Sequence, residues 1–174
     1  MATTYKLISS VTVGSGGAAN IVLSSIPSTY TDLILKWSLR GTTSAFRMNI
    51  NLTYSSITSG YSSRYLAGQG SAGVSSASNA TGTTQIYAGE IPAATGTTST
   101  FSNGEIYIPN YAGSNYKSAS IDNVQESNQD TNVYATLSAA LLSNTTAISQ
   151  IVITPGADNF AQYSTAYLYG ISNA

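Results

Sequence analysis

Apolar and polar residues alternate strictly along parts of this chain, and a period of two is the signature of a strand that buries one face. In DLILKWSLR, Leu33, Leu35, Trp37 and Leu39 fall on one side, and Asp32, Lys36, Ser38 and Arg40 on the other. In FRMNINL, Phe46, Met48, Ile50 and Leu52 alternate with Arg47, Asn49 and Asn51. The link between them, Gly41–Ala45, is short and turn-rich, so the expectation is an antiparallel hairpin with Trp37 in the core. Further strands are predicted at Tyr5–Val13, Ile21–Leu23, Thr84–Tyr87, Gly104–Ile108, Tyr116–Val124, Val133–Leu142, Ile148–Thr154 and Ala166–Ile171. Ala135–Leu142 has a helical composition, but Val133, Tyr134 and Thr136 favour a strand. Ala67–Thr83, rich in Gly, Ser and Ala, and Pro92–Ser99 break the pattern and are read as loops. With no amphipathic helices to serve as crossovers, the spacing favours an antiparallel sandwich over βαβ units. The expectation is all-β, with residues 1–174 forming a single β-sandwich domain, since 174 residues is an ordinary length for one domain.

Composition narrows the chemistry. The chain has no Cys and no His, which excludes disulfides, thiolate metal sites and imidazole bases. Charged residues are 7% of the chain, against about 25% in an average soluble protein. The six cations, Lys6, Lys36, Arg40, Arg47, Arg64 and Lys117, are too few and too scattered to follow a phosphate backbone, so nucleic acid is not an expected partner. MATTYKLISS has neither a basic leader nor an apolar run, and no stretch approaches the length of a membrane span, so neither export nor a membrane is expected. Asn51, Asn79 and Asn144 head sequons read as chance in a Thr-rich chain.

Catalysis without His or Cys would need paired carboxylates, a Ser–Lys arrangement or a metal. Glu90 and Glu105 are the carboxylates that strand packing could pair, though nothing in the sequence specifies it. Asp122, Glu126 and Asp130, with Asn123, Asn128 and Gln129, form the densest oxygen cluster. Their spacing does not match an EF-hand loop, so a polar loop is the expectation. Gly14–Gly17 shares only its glycines with a phosphate loop and reads as a hairpin turn. The expectation is therefore no catalytic residues, no cofactor and no metal.

Tyrosine is the unusual resource: thirteen, against three Phe and one Trp. A Tyr ring buries a large area and keeps a polar tip, which suits wet interfaces and sugar-stacking surfaces alike. Three groups are candidate contact residues: Tyr54, Tyr61 and Tyr65; Tyr107, Tyr111 and Tyr116; and Tyr163, Tyr167 and Tyr169. A neutral surface of Ser, Thr, Asn, Gln and Tyr repels neighbours weakly, which suits a subunit of a repeating assembly.

TYKLISSVTVGSGGAA, SSIPSTYTDLILKWSLR, IYIPNY and the ending AYLYGI together resemble a family of small virion structural proteins of tailed phages, of marine or cyanobacterial type. The resemblance spans nearly the whole chain, with the middle loops most divergent, and none of its motifs carries chemistry. It implies a jelly-roll-like sandwich in a non-enzymatic particle protein. The leading expectation is a capsid decoration or cement protein that stabilises the shell. The alternative is a tail-fibre or receptor-binding module contacting host surface polysaccharide. The expected partners are other virion proteins, major capsid or tail, with a homo-oligomer, a trimer among the forms considered, and a host glycan in the alternative. The expected location is the virion, on capsid surface or tail, after synthesis in the host cytoplasm.

Overall fold

A computed structural model of the chain describes residues 4–70, 74–128 and 133–172, with the backbone alone for 74–79. These residues form twelve strands: β1 (Tyr5–Thr12), β2 (Ile21–Leu23), β3 (Asp32–Leu39), β4 (Arg47–Tyr54), β5 (Tyr61–Gln69), β6 (Val74–Thr83), β7 (Ile86–Pro92), β8 (Ser102–Pro109), β9 (Lys117–Gln125), β10 (Tyr134–Leu142), β11 (Ile151–Pro155) and β12 (Thr165–Ile171). They make two antiparallel sheets. One has eight strands in the order β1-β12-β3-β8-β9-β10-β5-β6, the other four in the order β2-β11-β4-β7. The all-β sandwich expected from the sequence is the fold found.

Eight of the strands make a jelly roll. Strands β1-β12-β3-β8 stack on β2-β11-β4-β7, and along these eight the chain changes sheet at every step except β4 to β7. The pairs β5–β6 and β9–β10 are additions, one between β4 and β7 and the other between β8 and β11. Both join the same sheet beyond β8 and double its width.

The faces follow the alternation, whereas the partners do not. Leu33, Leu35, Trp37 and Leu39 are buried and share one core with Met48, Ile50 and Leu52. However, β3 bonds to β12 and β8, and β4 to β11 and β7, so the hairpin expected between them does not form. Alternation shows which face a strand buries, and two strands facing each other across a core carry the same pattern as two lying side by side. Phe46, assigned to the buried face, precedes β4 and is exposed. Gly14–Gly17 is a tight turn, with Gly17 N–H donating to the Gly14 carbonyl at 3.1 Å, but it carries the chain between sheets and closes no hairpin. Ala67–Thr83, expected as a loop, instead contains the end of β5 and the whole of β6, paired with each other. Backbone hydrogen bonds from flanking strands hold this Ser- and Gly-rich stretch without an apolar pattern of its own.

Two buried cations secure the loops. The Arg40 guanidinium donates through Nη1 to the Thr97 and Thr100 carbonyls, at 2.8 and 2.9 Å, and through Nη2 to those of Ala93 and Gly96, at 2.8 and 3.2 Å. The 92–99 segment is thus clamped by one side chain. Lys117 Nζ likewise donates to the carbonyls of Gly113, Asn115 and Thr145, at 2.6, 2.5 and 3.3 Å. Burial pulls both cations below their usual pKa.

The sheets meet at Asn123. Trp37 Nε1–H donates to Asn123 Oδ1 at 3.1 Å, and Asn123 Nδ2 donates to the Glu90 carbonyl at 2.6 Å, linking β3, β9 and β7. Beside it, Gly89 has φ +114° at the irregularity in the β4–β7 ladder, and a Cβ there would lie 2.7 Å from the Asn123 side chain. Only glycine lets the two strands approach this closely.

Replacing Trp37 with Ala should lower the unfolding free energy by about 3–5 kcal/mol in chemical denaturation. Wild-type stability would show that the core does not depend on this ring. Arg40→Met keeps the apolar stem and removes the donors. Hydrogen exchange should then accelerate at the amides of residues 93–100, with a stability loss of at least about 2 kcal/mol, since hydrogen bonds to a charged group contribute about 1.5–3 kcal/mol each.

Candidate functional site

The added strands give the eight-stranded sheet a wide outer face, and the strand registers place its residues in rows. One row runs Leu7, Tyr169, Ile34, Tyr107, Ser120, Ala139, Arg64. The next runs Ser10, Tyr167, Lys36, Glu105, Asp122, Leu137, Leu66. A third ends in Asn103, Val124, Ala135 and Gly68. Tyr5 stands at the outer edge, opposite Ile171 and one diagonal step from Tyr169.

This face has two halves. Over β1, β12, β3 and β8 it is tyrosine-rich and carries Lys36, Glu105 and Asp32, with Asp122 next to them on β9 and Arg64 apart on β5. Lys36 Nζ and Glu105 Oε2 form an exposed ion pair at 2.8 Å, and that contact holds the Lys36 ammonium above its usual pKa. Asp32 accepts from the Tyr107 hydroxyl and from Asn110 N–H, both at 2.9 Å, and the first bond raises the Tyr107 pKa. Burial, followed by the neighbouring Glu105, raises the Asp122 carboxyl, with Lys36 opposing. Over β9, β10 and β5 the face turns apolar: Leu66, Leu137 and Val124 are 54%, 62% and 41% exposed, around small Ala135 and Gly68.

Three of the nine candidate tyrosines meet here: Tyr107, Tyr167 and Tyr169. Tyr116 and Tyr163 are well exposed but sit in turns beyond opposite ends of the strands. Tyr54, Tyr61 and Tyr111 are corrections: each is fully buried and offers no surface to a partner. Tyr54 and Tyr61 pack edge to face at 6.0 Å, the Tyr61 hydroxyl accepts from Tyr54 N–H at 2.8 Å, and the Tyr111 hydroxyl donates to the Pro27 carbonyl. The polar tip that suggested an interface is satisfied internally in Tyr61 and Tyr111, while the Tyr54 hydroxyl has no hydrogen-bond partner among the described residues. Tyr65 is half-buried and turned inward, its ring 4.6 Å from that of Tyr87. Sequence reasoning missed Tyr5, Leu66, Leu137 and Val124. Their outward positions become readable only once the strand registers are known.

The carboxylates are not brought together. Glu105 lies on the outer face with Lys36. Glu90 lies inside, on the side of β7 covered by the added strands, with Oε2 3.2 Å from Arg47 Nη1 and Oε1 accepting from the Tyr87 hydroxyl at 3.2 Å. Arg47 also stacks on the Tyr134 ring, 4.4 Å from its centre. Gln125, Ser127 and Ser138 are buried nearby, with side-chain polar atoms that have no hydrogen-bond partner among the described residues. Of the oxygen cluster, Asp122 is on the outer face, Glu126 accepts from Asn128 N–H at 2.6 Å, and Asp130 and Gln129 fall outside the described residues. Among the described residues no three His, Cys, Asp or Glu are grouped to hold a metal, and no helix is long and apolar enough to cross a membrane.

No protein-family model, curated protein or solved structure matches the chain. The fold defines it as a widened jelly roll.

Burial raises the Glu90 carboxyl above its usual range, against the opposing pull of Arg47 and Tyr87. The folded state therefore holds a proton that the unfolded chain releases near pH 4.3, and stability falls as pH rises from about that value toward the folded pKa. Denaturation followed upward from about pH 4 should show this decline, and Glu90→Gln should flatten most of it. Asp122, shifted the same way but largely solvated, should leave only a small residual slope. A variant slope equal to wild type would show that Glu90 is not the proton holder.

Proposed function

We propose that this chain is a non-enzymatic structural protein of a tailed-phage particle, a capsid decoration or cement protein docked on the shell through the outer face of β9, β10 and β5. The observation that carries the docking surface is the contiguous exposure of Leu66, Leu137 and Val124. Folded chains rarely leave such side chains together in water without a partner. Two adjoining hollows of about 290 and 470 Å³ share Gly68, Val124 and Ala135, where small side chains leave a trough that a partner's apolar groups can fill. The likeness of the sequence motifs to phage virion proteins supplies the particle. The jelly-roll fold and the low charge agree with a subunit that packs closely against neighbours. A protein that binds only the assembled lattice stabilises it by mass action and needs no chemistry of its own.

Retention on purified particles tests this. Leu137→Glu and Leu66→Glu are surface changes that should alter folding stability by no more than about 0.5 kcal/mol, yet should release the protein from particles. Asp122 and Glu126 are the charged residues lining the trough and the rest of its wall is neutral, so the wild type should stay bound from about 0.1 to 1 M salt, where the screening length falls from about 10 to 3 Å. Release by moderate salt, or full retention of both variants, would overturn the docking surface. Copy number separates the remaining readings: hundreds per particle for decoration, tens or fewer for a tail-fibre or receptor-binding module.

A further inference from the structure

We infer that the tyrosine half of the outer face, centred on the hollow between Tyr5, Tyr169, Ile34, Lys36 and Glu105, binds an uncharged oligosaccharide. This goes beyond the docking reading; of the residues it uses, Asp122 alone also borders the apolar trough.

A sugar ring presents a C–H face and a rim of hydroxyls, so its recognition needs an exposed aromatic plane beside planar hydrogen-bonding groups. The hollow supplies both in about 360 Å³, within the usual range of ligand sites. Tyr5 is 55% exposed on the edge strand β1, diagonal to Tyr169. It lines the hollow together with Tyr169, Ile34, Lys36 and Glu105. The Lys36–Glu105 pair forms the floor, and both side chains keep much of their surface in water. An ion pair this exposed contributes little to folding, so it is free to exchange hydrogen bonds with a ligand.

The site continues past that pair. A second hollow of about 210 Å³ shares Lys36 and Glu105 and adds Asn103 and Asp122. From β1 to β9 the two cross four inter-strand spacings, roughly 19 Å, which suits a chain of sugars better than a single one. Glu105 and Asp122 outnumber Lys36, and Asp32 stands at the rim, so the local field repels acidic glycans and leaves neutral ones.

The experiment uses the full chain on an array of immobilised neutral glycans (glucans, galactans, mannans, xylans and rhamnans) and acidic ones (uronic, sulfated and sialylated). Titration calorimetry with the best neutral oligosaccharide follows. The expected result is binding to one or more neutral glycans, weakened at least tenfold by Tyr5→Ala and by Glu105→Gln, and unchanged by Tyr163→Ala, whose ring lies beyond the end of the strands. Both weakening variants alter exposed side chains, and unchanged circular dichroism and melting will show that they fold. Leu66→Glu, on β5 and not opposite any residue of this site, should leave glycan binding intact, so failure of the docking surface and failure of this site are read separately. No neutral glycan bound below about 10 mM, a level weaker than about 3 kcal/mol of affinity, would overturn the inference. So would preference for acidic glycans, or binding indifferent to Tyr5 and Glu105.

Discussion

One buried amide sets the relation between the two sheets. Asn123 lies wholly inside, accepting from the Trp37 indole and donating to a carbonyl of β7, so a strand from each side of the sandwich is fixed to the same side chain. An amide in an apolar interior has to be matched in direction as well as distance, which gives the contact a specificity that packing of Leu and Ile alone lacks. Gly89 makes the approach sterically feasible. Beyond this point the widened sheet curls past the edge strand β7 and covers its other side, where Tyr87 and Glu90 meet Arg47 and Tyr65. Both halves of the outer face are the back of a sheet whose course is decided at Asn123.

The few charges are placed with similar economy. Arg40 and Lys117 are spent on loop carbonyls, and Arg47 is half-buried against Glu90 and Tyr134. What remains outside is mainly Lys6, Arg64, the Lys36–Glu105 pair and scattered acids. A chain with 7% charged residues that buries part of them leaves a surface on which contact is governed by rings, amides and hydroxyls.

The faces of the strands were legible because period-two alternation is local. Leu33 to Leu39 and Met48 to Leu52 are buried as their pattern requires. Pairing was not legible, because nothing in either segment distinguishes a neighbour in the sheet from one across the core. Strands β5 and β6 escaped notice for a different reason: backbone hydrogen bonding to β10 and to each other, rather than an apolar stripe, supplies their order. The tyrosines show the same limit. Tyr61 and Tyr169 look alike in sequence, but one closes a buried hydrogen-bond ring with Tyr54 and Ile57 and the other lines an open face. Only three-dimensional register separates them.

Among the described residues, strand β1 pairs with a single neighbour. It lies antiparallel along β12, with Tyr5 opposite Ile171 and a further bond from Ser172 N–H to the Thr4 carbonyl, so the two ends of the described chain leave the sheet side by side. Tension applied between those ends would open the β1–β12 ladder like a zipper, one rung at a time, because the hydrogen bonds lie along the pull instead of across it. Shear resistance, which recruits every rung at once, is not available in that direction. Under mechanical load the molecule is built to shed its edge strand first and expose β12 as a fresh pairing edge, while the amide lock between the sheets stays several strands away from the tear.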